Sequence, residues 1–153
     1  MTIVAYRIIK REFAASLWSG DGARIHGGRW NSRGVAVIYA AENRSLAAME
    51  QLVHLVKPRV LNGYLIASIT FVSAQVQRVD LNALPAGWDG AVAPAALRQY
   101  GDNWARLGKH PVLAVPSAVI PGEWNYLINP AHRGFGSLVK SIPMPFMYDA
   151  RLK

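Results

Sequence analysis

No cysteine occurs among the 153 residues. That one absence removes disulfides, thiolate nucleophiles, zinc knuckles and iron–sulfur sites. It fits a reducing compartment. Carboxylates are scarce too: Glu12, Asp21, Glu42, Glu50, Asp80, Asp89, Asp102, Glu123 and Asp149 are the full set. Any carboxylate-dependent chemistry must draw on those nine. Charged residues make up 17% of the chain, below the usual quarter. Long apolar runs are also missing. The longest break off within about ten residues, half of what a membrane helix needs. Residues 1–10 lack the basic start, apolar run and cleavage site of a secretory leader. The expected address is the cytoplasm, away from any membrane.

What is present points to one folded domain spanning 1–153. Apolar residues reach 52%, enough to bury a core against the entropy of ordering. The net charge is +8, carried by twelve Arg and five Lys. Such a surface attracts anions: nucleic acid, a nucleotide, a membrane surface or an acidic partner. Arginine favours bidentate contacts with phosphate or carboxylate. A merely basic surface gives the same count. The arginines are scattered and form no run, which weakens the nucleic-acid reading.

The pattern predicts more strand than helix. Strands are expected at 3–9, 35–41, 64–72, 76–81, 112–115 and 124–128, from β-branched and alternating apolar residues. A glycine-rich loop fills 19–34 and a turn 85–90. One helix starts at an Asn43 or Ser45 cap, carries the stripe Leu46, Met49, Val53 and Val56, and stops at Pro58. A second runs from Pro94 to about Leu107. The tail from 138 to 152 is extended and broken by Pro143 and Pro145, which suits a sheet edge. Helices and strands do not alternate, so a doubly wound sheet is disfavoured. The expected class is α+β: mostly antiparallel sheet with a few helices.

Three segments hold polar residues in unexpected places. In Gly27-Gly28-Arg29-Trp30-Asn31, adjacent glycines let the backbone approach a ligand and the arginine can grip a phosphate or ribose edge. An ordinary loop with a solvated arginine fits equally. The spacing matches neither a P-loop nor a dinucleotide-binding turn. Glu50 falls on the flank of the helix stripe, with His54 one turn on. It either lines a pocket or makes a solvated pair with His54 or Lys57. Ser117 follows a buried strand, before Pro121, Trp124, Asn125 and Asn129-Pro130-Ala131-His132. No nucleophile elbow surrounds it, so a hydrogen-bonding role is more natural than nucleophilic attack. His26, His54, His110 and His132 show no metal-ligand spacing, and no metal is expected.

Together the three segments resemble the RES-domain family, the toxins of RES–Xre toxin–antitoxin pairs. The family is named for an arginine, a glutamate and a serine. Gly-Gly-Arg29-Trp-Asn, Tyr39-Ala-Ala and Leu-Ala-Ala-Met-Glu50-x-Leu-Val-His look like its first blocks. Val-Pro-Ser117-Ala-Val-Ile-Pro and Leu-Ile-Asn129-Pro-Ala-His132 look like its third. Tyr6-Arg7-Ile resembles the opening strand and Tyr148-Asp149-Ala150-Arg151-Leu152 the close. The resemblance implies a fold related to ADP-ribosyltransferase catalytic domains. It implies cleavage of NAD at the nicotinamide–ribose bond by phosphate or water, with transfer of ADP-ribose to a protein as the alternative. It implies Arg29, Glu50 and Ser117 as the catalytic trio. Arg7, Tyr39 and Asn129 join Arg29 and Ser117 in holding NAD, with Ser117 bonding its ribose or amide. It also implies an Xre-type antitoxin partner, and a homo-oligomer within that complex.

The chemistry suits the short carboxylate list. Glycosidases need a second carboxylate to protonate the leaving oxygen. Nicotinamide leaves from NAD as a pre-charged group, so one carboxylate suffices. Two readings from other classes stand beside this one. A ribonuclease would use the basic charge with His26 and His132. A non-catalytic module would dock an acidic partner on its basic face.

Overall fold

The computed structural model describes residues 1–55 and 61–152. Among them, eight strands form one sheet: β1 (Thr2–Lys10), β2 (Ile38–Ala41), β3 (Tyr64–Val72), β4 (Val76–Arg78), β5 (Val112–Pro116), β6 (Trp124–Ile128), β7 (Val139–Lys140) and β8 (Met144–Phe146). The order is β4-β5-β6-β2-β1-β3-β7, with β8 also on β3. Every pairing is antiparallel except β4 with β5. Three α-helices accompany it: α1 (Asp21–His26), α2 (Arg44–Leu52) and α3 (Ala95–Leu107). The mixed α/β class dominated by antiparallel strands is as expected.

The two sheet faces bury different layers. Leu113, Val115 and Leu127 pack with Leu97 and Trp104 of α3 and with Trp30 and Val37. Their strand neighbours Val112 and Ile128 point the other way, onto Ala5, Ile38, Ile69 and Phe71. This is the period-2 alternation of a strand. A third cluster seats α2 through Leu46, Ala47 and Leu52 against Ile8, Tyr64 and Tyr148. Each fully buried aliphatic side chain stabilises by about 1.5–3 kcal/mol.

Local differences from the sequence reading have physical causes. The glycine-rich loop contains α1, entered through Gly20 and left through Gly27, both at positive φ. Asn43 does cap α2, accepting from the Leu46 N–H at 2.7 Å. The stripe is rotated, however. Leu46, Ala47 and Leu52 are buried, Met49 is half-buried and Val53 is exposed. Alanine fits beneath the sheet where the apolar-stripe count overlooked it. Val56, Lys57 and Pro58 lie outside the described residues. Leu81 leaves β4 for a short 3₁₀ turn capped by Asp80. The tail closes the sheet edge through β7 and β8, then ends in a 3₁₀ turn, Ala150–Leu152.

Candidate active site

The loop after α1 is locked from three sides. Asn31 is fully buried and donates to the carbonyls of Ala23 and Val35, at 2.8 and 3.1 Å. Tyr39 of β2 donates its hydroxyl to Asn31 Oδ1 at 2.7 Å and accepts from the Trp30 N–H at 3.1 Å. Asp102 of α3 accepts from the Ser32 N–H at 2.9 Å. Gly28 is obligatory here. A Cβ on it would stand 2.7 Å from the Tyr39 hydroxyl and 2.8 Å from Asn31 Oδ1. Burial pushes the Tyr39 phenol well above its ordinary range, so it stays a donor.

This loop forms one wall of an open cavity of about 1030 Å³. The size suits a ligand larger than most drug-like molecules. Among the described residues, four arginines line it, Arg7, Arg29, Arg33 and Arg98, against a single carboxylate, Glu50. Such a lining attracts anions.

Glu50 reaches it from the last turn of α2. Its Oε1 accepts from the Ser117 hydroxyl at 2.7 Å and from the Asn125 amide at 2.6 Å. Its Oε2 takes no hydrogen bond among the described residues. Ser117 is buried at the end of β5, and its oxygen also accepts from the Val119 and Ile120 N–H groups, both at 3.0 Å. Charged hydrogen bonds of this kind fix a carboxylate's orientation. One oxygen is anchored while the other is left for a ligand.

The arginines differ in what they hold. Arg29 donates to the carbonyls of Trp88 and Gly90, at 2.9 and 2.8 Å, and so pins residues 88–90 beside the cavity. Arg7 of β1 donates to the Tyr39 carbonyl at 2.9 Å. Its Nε is buried with no hydrogen-bond partner among the described residues. Burial lowers its pKa from the ordinary guanidinium range to about 10. It remains a cation at neutral pH.

The structure thus brings Arg7, Arg29, Tyr39 and Glu50 to one cavity and sets Ser117 directly against Glu50. Two expected residues lie off the cavity lining. Ser117 is buried behind Glu50, and its hydroxyl donates to the Glu50 carboxylate. Asn129 does not line the cavity. Its amide donates to the Ala105 carbonyl at 3.0 Å and its Oδ1 accepts from the Ala131 N–H, closing the turn after β6. Glu50 makes no pair with His54, which is exposed on the cavity rim. Lys57 lies outside the described residues. His26 lines the cavity but His132 does not, so the two do not form one acid–base site.

The sequence reading gave two contributors no role. Asn125 shares its strand face with the buried Leu127, a polar residue in an apolar rhythm. Asp102 likewise sits on the buried side of α3, with Leu97 and Trp104. Both interruptions were visible as signals.

A model of the RES domain matches residues 4–149. The chain belongs to the RES-domain family. The RES domain is 36% identical over 152 residues to "Toxin Res" of Yersinia enterocolitica, covering 99% of this chain and all of the relative. It is 38% identical over 157 residues to the "Prs ADP-ribosylating toxin" of a Sphingobium strain, covering 99% and 98%. Its fold matches a chain in the crystal structure of the M. tuberculosis MbcT–MbcA toxin–antitoxin complex, with a TM-score of 0.78 at 18% identity. That match covers 99% of the RES domain and 87% of the other chain.

Proposed function

We propose that this RES domain is the toxin of a toxin–antitoxin pair and that it cleaves NAD at the nicotinamide–ribose bond. The observation that carries the reading is Glu50, held through one oxygen by Ser117 and Asn125, and the one carboxylate among arginines that the described residues place on a large cavity. A dinucleotide is anionic at its pyrophosphate and develops positive charge at the ribose carbon as nicotinamide leaves. The cavity offers the complementary arrangement: many cations and one fixed anion.

In the proposed step the bond from C1′ to the nicotinamide nitrogen breaks. Its electron pair stays on that nitrogen, which becomes neutral. An acceptor oxygen bonds to C1′. Glu50 stabilises the oxocarbenium-like transition state by its fixed charge. Arg29 and the exposed Arg33 are the cations available to the pyrophosphate, and Tyr39 walls the nicotinamide end. Ser117 and Asn125 hold Glu50 in place. The antitoxin, of Xre type in this reading, docks where it closes the cavity, and the toxin forms a homo-oligomer within the complex.

A second acceptor is favoured by one observation. The Sphingobium relative is named an ADP-ribosylating toxin, so a protein side chain is the alternative acceptor. The test uses pure protein with NAD, and then with lysate and labelled NAD. Nicotinamide release that vanishes in Glu50→Gln supports the reading. Unchanged NAD in every mixture overturns it.

A further inference from the structure

Among the described residues, four arginines and one carboxylate give the cavity lining a net charge of about +3. NAD brings a net charge of only about −1, its pyrophosphate being half-offset by the nicotinamide ring, and a 2′-phosphate adds about −1.5 to −2 more. The lining therefore matches NADP in charge more closely than NAD.

Arg98 has no part in the step proposed for NAD. It is half-buried on α3 and lines the cavity. Its Nη1 donates to the Ala93 carbonyl at 3.4 Å, a long bond, and no carboxylate forms an ion pair with it among the described residues. Asp102 stands four residues on, on the same face of α3, but accepts from the Ser32 N–H. Gly101 lies against the Trp30 backbone. These two contacts seat α3 beside the loop that carries Arg29 and Arg33. Arg98, one turn earlier, is within reach of a ligand whose pyrophosphate those two arginines hold.

A site that selects NAD sets a carboxylate on the adenosine ribose, where it takes a hydrogen bond from the 2′-hydroxyl; an arginine in that place accommodates a 2′-phosphate. Here the one carboxylate that the described residues place on the lining is Glu50, fixed by Ser117 and Asn125. The proposed step assigns it to the other ribose, which loses nicotinamide. Asp89 and Asp102 do not line the cavity. No anion among the described lining residues is left to reject a 2′-phosphate, and an arginine is left to bind one.

We infer, resting on the proposed cleavage of NAD, that Arg98 forms a subsite for the 2′-phosphate of NADP and that the protein cleaves NADP in preference to NAD. The bonds exchanged are the same. The C1′–N bond breaks, its electron pair stays on nicotinamide, and the acceptor oxygen bonds to C1′. The 2′-phosphate is on the adenosine ribose, remote from that bond, and stays on the product.

The kcat/KM of the full chain for NADP and for NAD, read by nicotinamide release under one set of conditions, tests this. NADP is expected to be the better substrate by about tenfold or more. In Arg98→Gln that ratio falls by about tenfold or more, mainly through the KM for NADP. Arg98→Lys keeps the charge without the planar fork and recovers part of the ratio. Should Arg98→Gln not fold, the wild-type chain supplies a second measurement. In calorimetry, adenosine 2′,5′-bisphosphate binds about tenfold tighter than adenosine 5′-monophosphate. NADP no better than NAD, a ratio that Arg98→Gln leaves unmoved, or equal binding of the two nucleotides overturns the subsite and leaves NAD cleavage standing. No nicotinamide from either dinucleotide overturns both.

Discussion

Ser117 donates its hydroxyl to Glu50 Oε1 at 2.7 Å, joining residues 67 positions apart. The same oxygen of Ser117 accepts two backbone N–H groups. The serine therefore couples the end of β5 to the carboxylate of α2. It transmits the rigidity of the sheet to the carboxylate that lines the cavity.

Glu50→Gln keeps the shape and removes the charge. Nicotinamide release is expected to fall by about 10²–10³-fold, the usual worth of a fixed electrostatic group in a transition state. The thermal midpoint should stay within a few degrees of wild type. A variant with wild-type turnover sinks the proposed role of Glu50.

Ser117→Ala leaves two N–H groups without their acceptor and frees Glu50 to turn. Stability should drop by about 1–3 kcal/mol in denaturant titration. kcat should fall while the KM for NAD holds nearly constant, because the serine acts through Glu50. Asn125→Ala removes a donor to Glu50 but strands no backbone group. Its stability loss should be the smaller of the two.

Gly101 marks where α3 crosses the backbone of Trp30. A Cβ there would overlap the Trp30 carbonyl oxygen. Gly101→Ala should destabilise by about 1–3 kcal/mol or more, through forced displacement of the helix. Gly22, inside α1, has open space around a Cβ. Gly22→Ala should stabilise by up to about 1 kcal/mol. Urea unfolding of the two variants checks the contrast.

Burial pushes the phenols of Tyr39 and Tyr148 upward. Folding therefore favours their protonated form. The stability this contributes is present below the unfolded value of about 10 and is lost as pH rises through it toward the folded values. Arg7, lowered to about 10, works in the opposite direction above that pH. Absorbance at 295 nm should show at least two of the six tyrosines failing to ionise near pH 10.5 until the chain unfolds. Complete ionisation of all six in the folded protein would contradict this.

Much of the fold was legible because it depends on local pattern. The alternation in residues 64–72, the Asn43 cap and the span of α3 from Pro94 to Leu107 are each set by neighbours a few positions away. The helix stripe was misjudged at Val53 because the sheet, not the helix, decides which side of α2 is covered. Arg29, Tyr39 and Glu50, which line one cavity, and Ser117, which bonds Glu50, are singled out in the sequence through the blocks that resemble the family. What each of them bonds is not. Nothing near Arg29 in sequence announces the carbonyls of Trp88 and Gly90, and nothing near Asn129 announces that of Ala105.

The sequence by itself determined the chemistry on offer: no thiols, nine carboxylates, an arginine-rich excess, and the ordered blocks of a RES domain. Hydrogen bonds across 67 and 75 residues decided how the Glu50 carboxylate is held, and the packing of the sheet decided that, among the described residues, four arginines share its cavity. Residue types and local spacing are properties of the chain. Which distant groups meet, and which oxygen stays free, depends on how strands register and layers pack.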